Sequence, residues 1–191
     1  MTAAMTPTVR PFSVRSKAKS LGPDAVKAVF LTHGHPDHVA ACHLFPAAEI
    51  YAFPADVKLA SGEQRSKGPL PSKMDLPKEK AAKVTRTLTD GEVISVGSLQ
   101  VKAYAVPGHT GGSAAYLSKG VLYLGDNAAG RSSGTGIKSA PWVFSDDPEQ
   151  NIVELKKLHA RLKAENADVK TLAFGHAGPL EGVDLLMTAG Q

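Results

Sequence analysis

The sequence lacks the features that mark exported and membrane proteins. It has a single cysteine, Cys42, so no disulfide can form within the chain, and this fits a reducing compartment. No apolar run approaches the roughly 20 residues that a membrane-spanning helix needs. Residues 1–20 are polar and basic without a continuous apolar core, so they do not form a secretory signal. We therefore expect a cytoplasmic protein that does not enter a membrane.

The charge balance is nearly even. Lys and Arg number 22 against 18 Asp and Glu, which gives a net charge of +4. This excess is compatible with an anionic substrate but is too small to require nucleic acid as a partner. Residues 62–80 are rich in Pro, Gly and Lys and predict a mobile surface loop, and they contain no aromatic residue on which a base could stack. A small-molecule substrate is the expected partner.

Length and pattern predict one layered α/β domain. With 191 residues, the chain can bury one core. We assign residues 21–191 to this domain and residues 1–20 to a flexible lead-in with at most a short strand at 9–14. Buried-strand patterns rich in apolar residues, and strand signals separated by tight-turn residues, predict strands at 25–33, 49–53, 84–89, 92–96, 99–109, 113–118, 121–126 and 169–176. Helices are expected from Pro36 to Phe45, at 54–61 and after Asp147, and a loop is expected at 127–142.

The helix after Asp147 has the clearest local signals. Asp147 is placed to cap it, Pro148 suits its first position, and Gln150 completes a capping box. Its apolar stripe consists of Ile152, Leu155, Leu158 and Leu162.

Histidines are concentrated in one short stretch, "LTHGHPDHVAACH", which holds four of the seven in the chain. His33 and His35 are separated by one residue, so both side chains can turn to the same side of an extended loop. Asp37 and His38 follow on the next turn. Neutral imidazole and carboxylate suit zinc, and also iron or manganese, so this spacing predicts a metal site. By contrast, His43 is expected to be packed or partly exposed, His159 solvated, and Cys42 a small buried hydrophobe.

Several predicted strands end on a further potential ligand. His109, Asp126 and His176 each follow an apolar strand pattern, and strand ends converge at the rim of a layered α/β fold. His33, His35 and His109 could hold one metal ion. Asp37, His38 and His176 could hold a second, with Asp126 as a carboxylate bridge between the two.

These motifs resemble those of the metallo-β-lactamase-fold hydrolases. "THGHPDH" resembles their His-x-His-x-Asp-His motif, and "PGHTGGS", "LGD" and "FGHAGP" are similar to their later motifs, in the same order. The resemblance implies a four-layer αβ/βα sandwich with two divalent metal ions, zinc first among the candidates. It assigns His33, His35 and His109 to one ion and Asp37, His38 and His176 to the other, with Asp126 between them.

The resemblance implies a metallo-hydrolase in which a metal-bridging hydroxide attacks an ester, thioester or lactone carbonyl, with Asp37 also orienting this nucleophile. Asp126 favours the dinuclear, glyoxalase II-like branch, since true β-lactamases of this fold generally lack a bridging aspartate there. Three alternatives stay open: a metal-dependent phosphodiesterase or nuclease, a mononuclear iron persulfide dioxygenase, and a shortened inactive member with a structural metal site.

The N-terminal part departs from the pattern of this superfamily. Members usually begin with several strands, one of them ending in an Asp-Thr-Gly-like turn, whereas only 32 residues precede His33 and none of them forms such a turn. The first sheet is therefore expected to be incomplete. An incomplete sheet leaves an open edge strand, which a second copy of the chain could cover as a homodimer.

Overall fold

A computed structural model describes residues 22–132 and 135–191. The expected lead-in at 1–20, with its strand at 9–14, lies outside the described residues. The strands are β1 (Ala28–Phe30), β2 (Glu49–Ala52), β3 (Arg86–Thr87), β4 (Val93–Val96), β5 (Leu99–Ala105), β6 (Ala114–Ser118), β7 (Val121–Gly125), β8 (Ala128–Gly130), β9 (Ile137–Ser139), β10 (Thr171–Phe174) and β11 (Leu180–Glu181). The α-helices are α1 (Pro36–Val39), α2 (Val57–Ala60) and α3 (Pro148–Ala164). Short 3-10 turns lie at Pro23–Ala25, Cys42–Leu44, Pro54–Asp56, Pro71–Lys73, Lys78–Lys80, Trp142–Phe144 and Val183–Thr188.

Six strands form the larger sheet, in the order β11-β10-β7-β6-β5-β4. The pairs β4–β5, β5–β6 and β6–β7 are antiparallel, β10 runs parallel to β7, and β11 is antiparallel to β10. The turn between β6 and β7 has both Lys119 and Gly120 at positive φ, 48° and 78°, as a tight two-residue hairpin turn requires. The strands predicted from alternation and turn residues in this region are confirmed.

Three parallel strands form the smaller sheet, in the order β1-β2-β3. Parallel pairing explains why these strands need long connections, which here carry α1 and α2. Within residues 22–132 and 135–191, β1 lies at one edge of this sheet. The homodimer expected from an open edge remains a prediction.

The two sheets face each other across an apolar core. Tyr51 of the smaller sheet and Tyr116 of the larger sheet belong to the cluster between them. On the outer side of the smaller sheet, Ile50 packs in a second cluster with Val39 of α1 and Ala60 of α2.

Helix α3 covers the outer face of the larger sheet. Its Leu155, Leu158 and Leu162 are buried together with Leu122 and Leu172 of the sheet. The layers therefore follow the order helices, sheet, sheet, helix, which is the expected αβ/βα sandwich. The apolar stripe is confirmed at its three leucines, whereas Ile152 is only half-buried.

The start of α3 has one of the two hydrogen bonds that the expected capping box would form. The Asp147 carboxylate accepts the backbone N–H of Gln150 at 2.9 Å, and Pro148 occupies the first turn. In a capping box, the Gln150 side chain would bind the Asp147 backbone N–H. That N–H instead donates to the carbonyl of Gly108 at 2.8 Å, which ties the helix to the turn after β5.

Two expected elements are corrected. The loop expected at 127–142 contains the antiparallel pair β8 and β9. The helix expected from Pro36 to Phe45 breaks into α1 and a 3-10 turn. The His43 Nδ1 lies 2.7 Å from the Ala40 carbonyl, which the Leu44 N–H would bind in a continuous helix. The Leu44 N–H binds the Ala41 carbonyl instead.

The side chains outside the candidate ligand set follow the expectations with one exception. Cys42 is buried and His43 is exposed, as expected. His159 was expected to be solvated, but its side chain is only 16% exposed and its Nε2 lies 2.8 Å from Asp184 Oδ1. No helix in the described part of the chain combines the length and apolarity needed to cross a bilayer.

Candidate metal centre

The seven candidate ligands come together at one end of the two sheets. They follow the carboxyl ends of β1, β5, β7 and β10, which are strands of different sheets with ends on the same side of the sandwich. Their donor atoms fall into two groups, each within 4.8 Å: His33, His35 and His109, and Asp37, His38, Asp126 and His176. The groups adjoin, since the rings of His33 and His38 have centroids 4.0 Å apart.

The first group consists of three buried imidazoles. His33, His35 and His109 are 1, 5 and 1% exposed. The Nε2 atoms of His33 and His109 face each other at 3.2 Å. Burial, reinforced by the neighbouring imidazoles, lowers the pKa of His33 well below its usual value and that of His109 to about 4, and burial also lowers the pKa of His35. These side chains are therefore neutral, which is the form that binds a metal ion.

Ser145 fixes the orientation of the His109 ring. The Ser145 hydroxyl donates its hydrogen to the Pro141 carbonyl at 2.8 Å, and its oxygen lies 3.2 Å from His109 Nδ1. Because this hydrogen is already engaged, the serine oxygen accepts from Nδ1–H. The His109 Nε2 is thereby left with a free lone pair directed at His33.

The second group alternates imidazoles and carboxylates. His176 Nε2 lies 3.1 Å from Asp37 Oδ2 and 3.2 Å from Asp126 Oδ2. His38 Nε2 lies 3.3 Å from Asp126 Oδ2 and 3.3 Å from His176 Nε2. Asp37 and His176 are half-exposed, so this group opens towards solvent.

The carboxylates give the second group a negative field. Burial by itself lowers the pKa of His38, but hydrogen bonds with Asp126 and Asp37 outweigh it and raise this pKa to about 9. The hydrogen bond with His38 holds the pKa of Asp37 far below its usual value. A field that retains a proton on His38 also attracts a divalent cation, whose binding releases that proton.

Two unpaired buried atoms indicate that the residues present fit metal ions. His35 Nε2 and Asp126 Oδ1 are buried without a hydrogen-bond partner. An orphaned buried polar atom costs about 1–3 kcal/mol, and a metal ion at either group would offset that cost. The same Asp126 Oδ1 lies against Gly175, where a Cβ would come within 2.1 Å of it. Gly175 therefore makes room for this carboxylate.

Asp56 is a buried carboxylate that our reading of the sequence missed. It is 2% exposed and lies in the 3-10 turn after β2. Its Oδ2 accepts the Gly34 N–H and the Thr110 hydroxyl, both at 2.7 Å, and its Oδ1 accepts the Gly112 N–H at 2.7 Å. Asp56 thus ties the loop of His33 and His35 to the turn of His109. The segment "EIYAFPAD" repeats the strand, proline and polar residue of "VKAYAVPGH", a signal that could have found it.

Replacing Asp56 by asparagine is expected to weaken metal binding by about 10- to 100-fold, the usual cost of losing a group that orients metal ligands. The Asp56 carboxylate accepts three hydrogen bonds on its two oxygens, whereas the asparagine amide has only one acceptor oxygen. Competition with a chromophoric chelator measures the affinity. Asp75→Asn, on an exposed carboxylate paired with Arg65, is the matched control. Equal affinity of Asp56→Asn and the unmodified protein would contradict this role.

Comparisons with known proteins agree with this architecture. The family model "Metallo-beta-lactamase superfamily" matches residues 4–176. The chain is similar to a B3 metallo-beta-lactamase with an active-site glutamic acid, with a TM-score of 0.62 and 19% identity over 92% of this chain and 69% of that one. The chain is also similar to a subclass B3 metallo-beta-lactamase from a soil metagenome library. That comparison has a TM-score of 0.58 and 25% identity, and it covers 85% of this chain and 63% of that one.

A third similar structure was solved in a di-iron-bound form, with a TM-score of 0.62 and 22% identity over 91% of this chain and 79% of that one. The family match covers both ligand groups, and the structural matches reproduce the sandwich that positions them. The chain belongs to the metallo-beta-lactamase superfamily.

Proposed function

We propose that this chain is a dinuclear metal-dependent hydrolase that acts on an ester, thioester or lactone carbonyl. Membership of the superfamily suggests a metal-dependent hydrolase. One observation carries the finer proposal. Two adjoining ligand groups, one of three neutral imidazoles and one with two carboxylates, border the same cavity.

His33, His35 and His109 would hold one ion, and Asp37, His38 and His176 the other, with Asp126 shared between them. When bound, such a pair of ions supplies reactive water by lowering the pKa of water from its bulk value towards about 7, and it polarises the substrate oxygen. Zinc suits this donor set, and iron and manganese accept it as well.

Asp37 has a second task in this proposal. It lines the cavity, and its side chain is 51% exposed, so a carboxylate oxygen can accept a hydrogen bond from the attacking water and orient it. No protein nucleophile is needed, since Cys42 is buried outside the lining of this cavity. Burial raises the pKa of the Cys42 thiol to about 11, which keeps it in its unreactive form.

The Asp126 carboxylate supports a thioesterase or lactonase branch over a β-lactamase. In the family that the motifs resemble, the thioesterase and lactonase branches have an aspartate at this position and true β-lactamases generally lack it. Here the Asp126 carboxylate lies within 3.3 Å of both His38 and His176. The similarity to named β-lactamases at 19 and 25% identity supports the fold and does not extend to the substrate.

Metal content and turnover test the proposal together. We expect about two divalent ions per chain, one for each group, by elemental mass spectrometry. We expect hydrolysis of a neutral ester, thioester or lactone that a chelator abolishes and added metal restores. The comparison substrates are bis(p-nitrophenyl) phosphate and a chromogenic β-lactam. Faster turnover of either one, a single iron per chain, or no turnover above the metal-free protein would each overturn the proposal.

A further inference from the structure

The cavity in front of the two ligand groups has apolar walls. Its volume is about 430 Å³, which is in the range of small-molecule sites. Five members of the ligand groups form its floor. The remaining lining residues are all apolar: Pro71, Met74, Ala128, Ala129, Pro141 and Phe144.

Three separate segments build these walls. Ala128 and Ala129 come from the β8 strand, and Pro141 and Phe144 come from the connection between β9 and α3. The third segment carries Met74 and belongs to the stretch 62–80 that the sequence predicts to be a mobile loop.

Hydrogen bonds anchor this third segment to the body of the protein. The Asp146 carboxylate accepts the Ser66 hydroxyl at 2.6 Å, the Lys67 N–H at 2.7 Å and the Gly68 N–H at 3.0 Å. The Leu70 N–H donates to the Val143 carbonyl at 3.0 Å. The segment is thus bound to the same connection that supplies Pro141 and Phe144, so the apolar surface is a built part of the site.

The walls of the cavity offer no cation to a charged substituent of the substrate. None of the lining residues, all of which are in the described part of the chain, is a lysine or an arginine. Arg131, which follows β8 directly, donates to the carbonyls of Ile137 and Gln191 and is engaged there. A carboxylate or phosphate placed against these walls would lose its hydration without gaining a partner, which is costly.

We infer that this cavity binds an uncharged apolar acyl group, so that the substrate is a small ester, thioester or lactone whose acyl part carries no anionic group. This inference rests on the proposed function, because the carbonyl must reach the two ligand groups on the floor. The apolar walls then bury the rest of the acyl chain. Each methylene that enters the cavity raises kcat/KM about 4-fold until the cavity is full.

Matched esters test the inference on the metal-loaded protein. The p-nitrophenyl esters of acetate, butyrate and hexanoate share a leaving group and differ only in apolar length. The monosuccinyl ester has the four-carbon chain of the butyryl ester with a terminal carboxylate. We expect kcat/KM to rise from acetyl to butyryl by about 10-fold or more, and the succinyl ester to fall at least about 10-fold below the butyryl ester. A flat series, or a succinyl ester as good as the butyryl ester, overturns the inference.

A substitution that adds a positive charge to the cavity wall gives a second test of the inference. Met74→Arg places a cation on the wall and is expected to raise the succinyl-to-butyryl ratio of kcat/KM by about 10-fold or more. Met187→Arg is the matched control, because the two methionines are 43 and 44% exposed and Met187 lies outside the cavity lining. Phe144→Ala, which removes apolar wall without adding charge, should flatten the rise from acetyl to hexanoyl. A ratio unchanged in Met74→Arg contradicts the inference.

Binding separates this inference from the proposed function. Calorimetry with acetohydroxamic and hexanohydroxamic acid, which share a metal-binding head, is expected to show tighter binding of the longer chain by about 4-fold for each methylene that enters. Absence of turnover with all esters, together with this preference, would refute the hydrolase and leave the apolar site standing. Turnover without a chain-length preference would refute the apolar site alone.

Discussion

Asp126→Asn is expected to reduce the metal content from about two ions per chain to about one, and to lower hydrolysis by at least about 100-fold, equivalent to about 3 kcal/mol of transition-state stabilisation. The Asp126 carboxylate lies 3.3 Å from His38 Nε2 and 3.2 Å from His176 Nε2, so it belongs to the more polar of the two ligand groups. Asparagine keeps the shape of the side chain but removes the negative charge. The three buried histidines still form a complete group of three ligands without this carboxylate, so their ion should remain.

The matched control for this substitution is Asp184→Asn. Asp184 also accepts from a histidine, His159, at 2.8 Å, but it lies outside both ligand groups. Elemental analysis after gel filtration gives the ion count, and the ester assay gives the rate. Asp126→Asn protein that retains both ions and full turnover would refute the shared role of this carboxylate. Equal losses in both variants would point to a general effect of lost surface charge.

Gly108→Ala is expected to lower the free energy of unfolding by about 3 kcal/mol or more, through both backbone strain and overpacking. Gly108 has a φ of +131°, a conformation that alanine rarely adopts. A Cβ at this position would lie 2.3 Å from the backbone nitrogen of Asn151 and 2.5 Å from its Cα. These atoms belong to the first turn of α3 and cannot move aside as a flexible side chain could.

For a chain of this size, a loss of about 3 kcal/mol corresponds to a melting temperature lower by roughly 6 to 12 °C. Urea unfolding and thermal melts of the metal-free protein measure this loss without a contribution from bound ions. Gly178→Ala is the control, since a Cβ there would meet nothing within 4 Å. If Gly108→Ala melts at the same temperature as Gly178→Ala, then the close approach between the turn and α3 is not rigid.

The clustering of the seven candidate ligands is the feature of this protein that its sequence predicts best. His33, His109, Asp126 and His176 each follow a strand, and the ends of these four strands lie at the same rim of the sandwich. The cap at Asp147 can also be predicted from the sequence, because its partner Gln150 is three residues away. The Asp147 cap is predictable because its partner is close in the chain, and the ligand cluster is predictable because sites in layered α/β folds lie at strand ends.

Features that depend on distant partners escaped prediction. Strand β8 consists of Ala and Gly, which have low strand propensity, and β9 has only Ile137 as a strand-favouring residue, so the two strands depend on pairing with each other. His159 is covered by Asp184, which lies 25 residues further along the chain. Asp56 contacts Gly34 and Thr110, at separations of 22 and 54 residues. None of these partners can be identified from local pattern alone.

The attachment of α3 to the turn after β5 has a consequence for motion at the candidate site. The Asp146 N–H donates to the His109 carbonyl at 3.0 Å, and the Asp147 N–H donates to the Gly108 carbonyl at 2.8 Å. Helix ends are where local opening begins, because their amides are the least protected. Fraying of this helix start would free the His109 backbone and withdraw its imidazole from His33. Hydrogen exchange at these two amides therefore reports how often the three-histidine group comes apart.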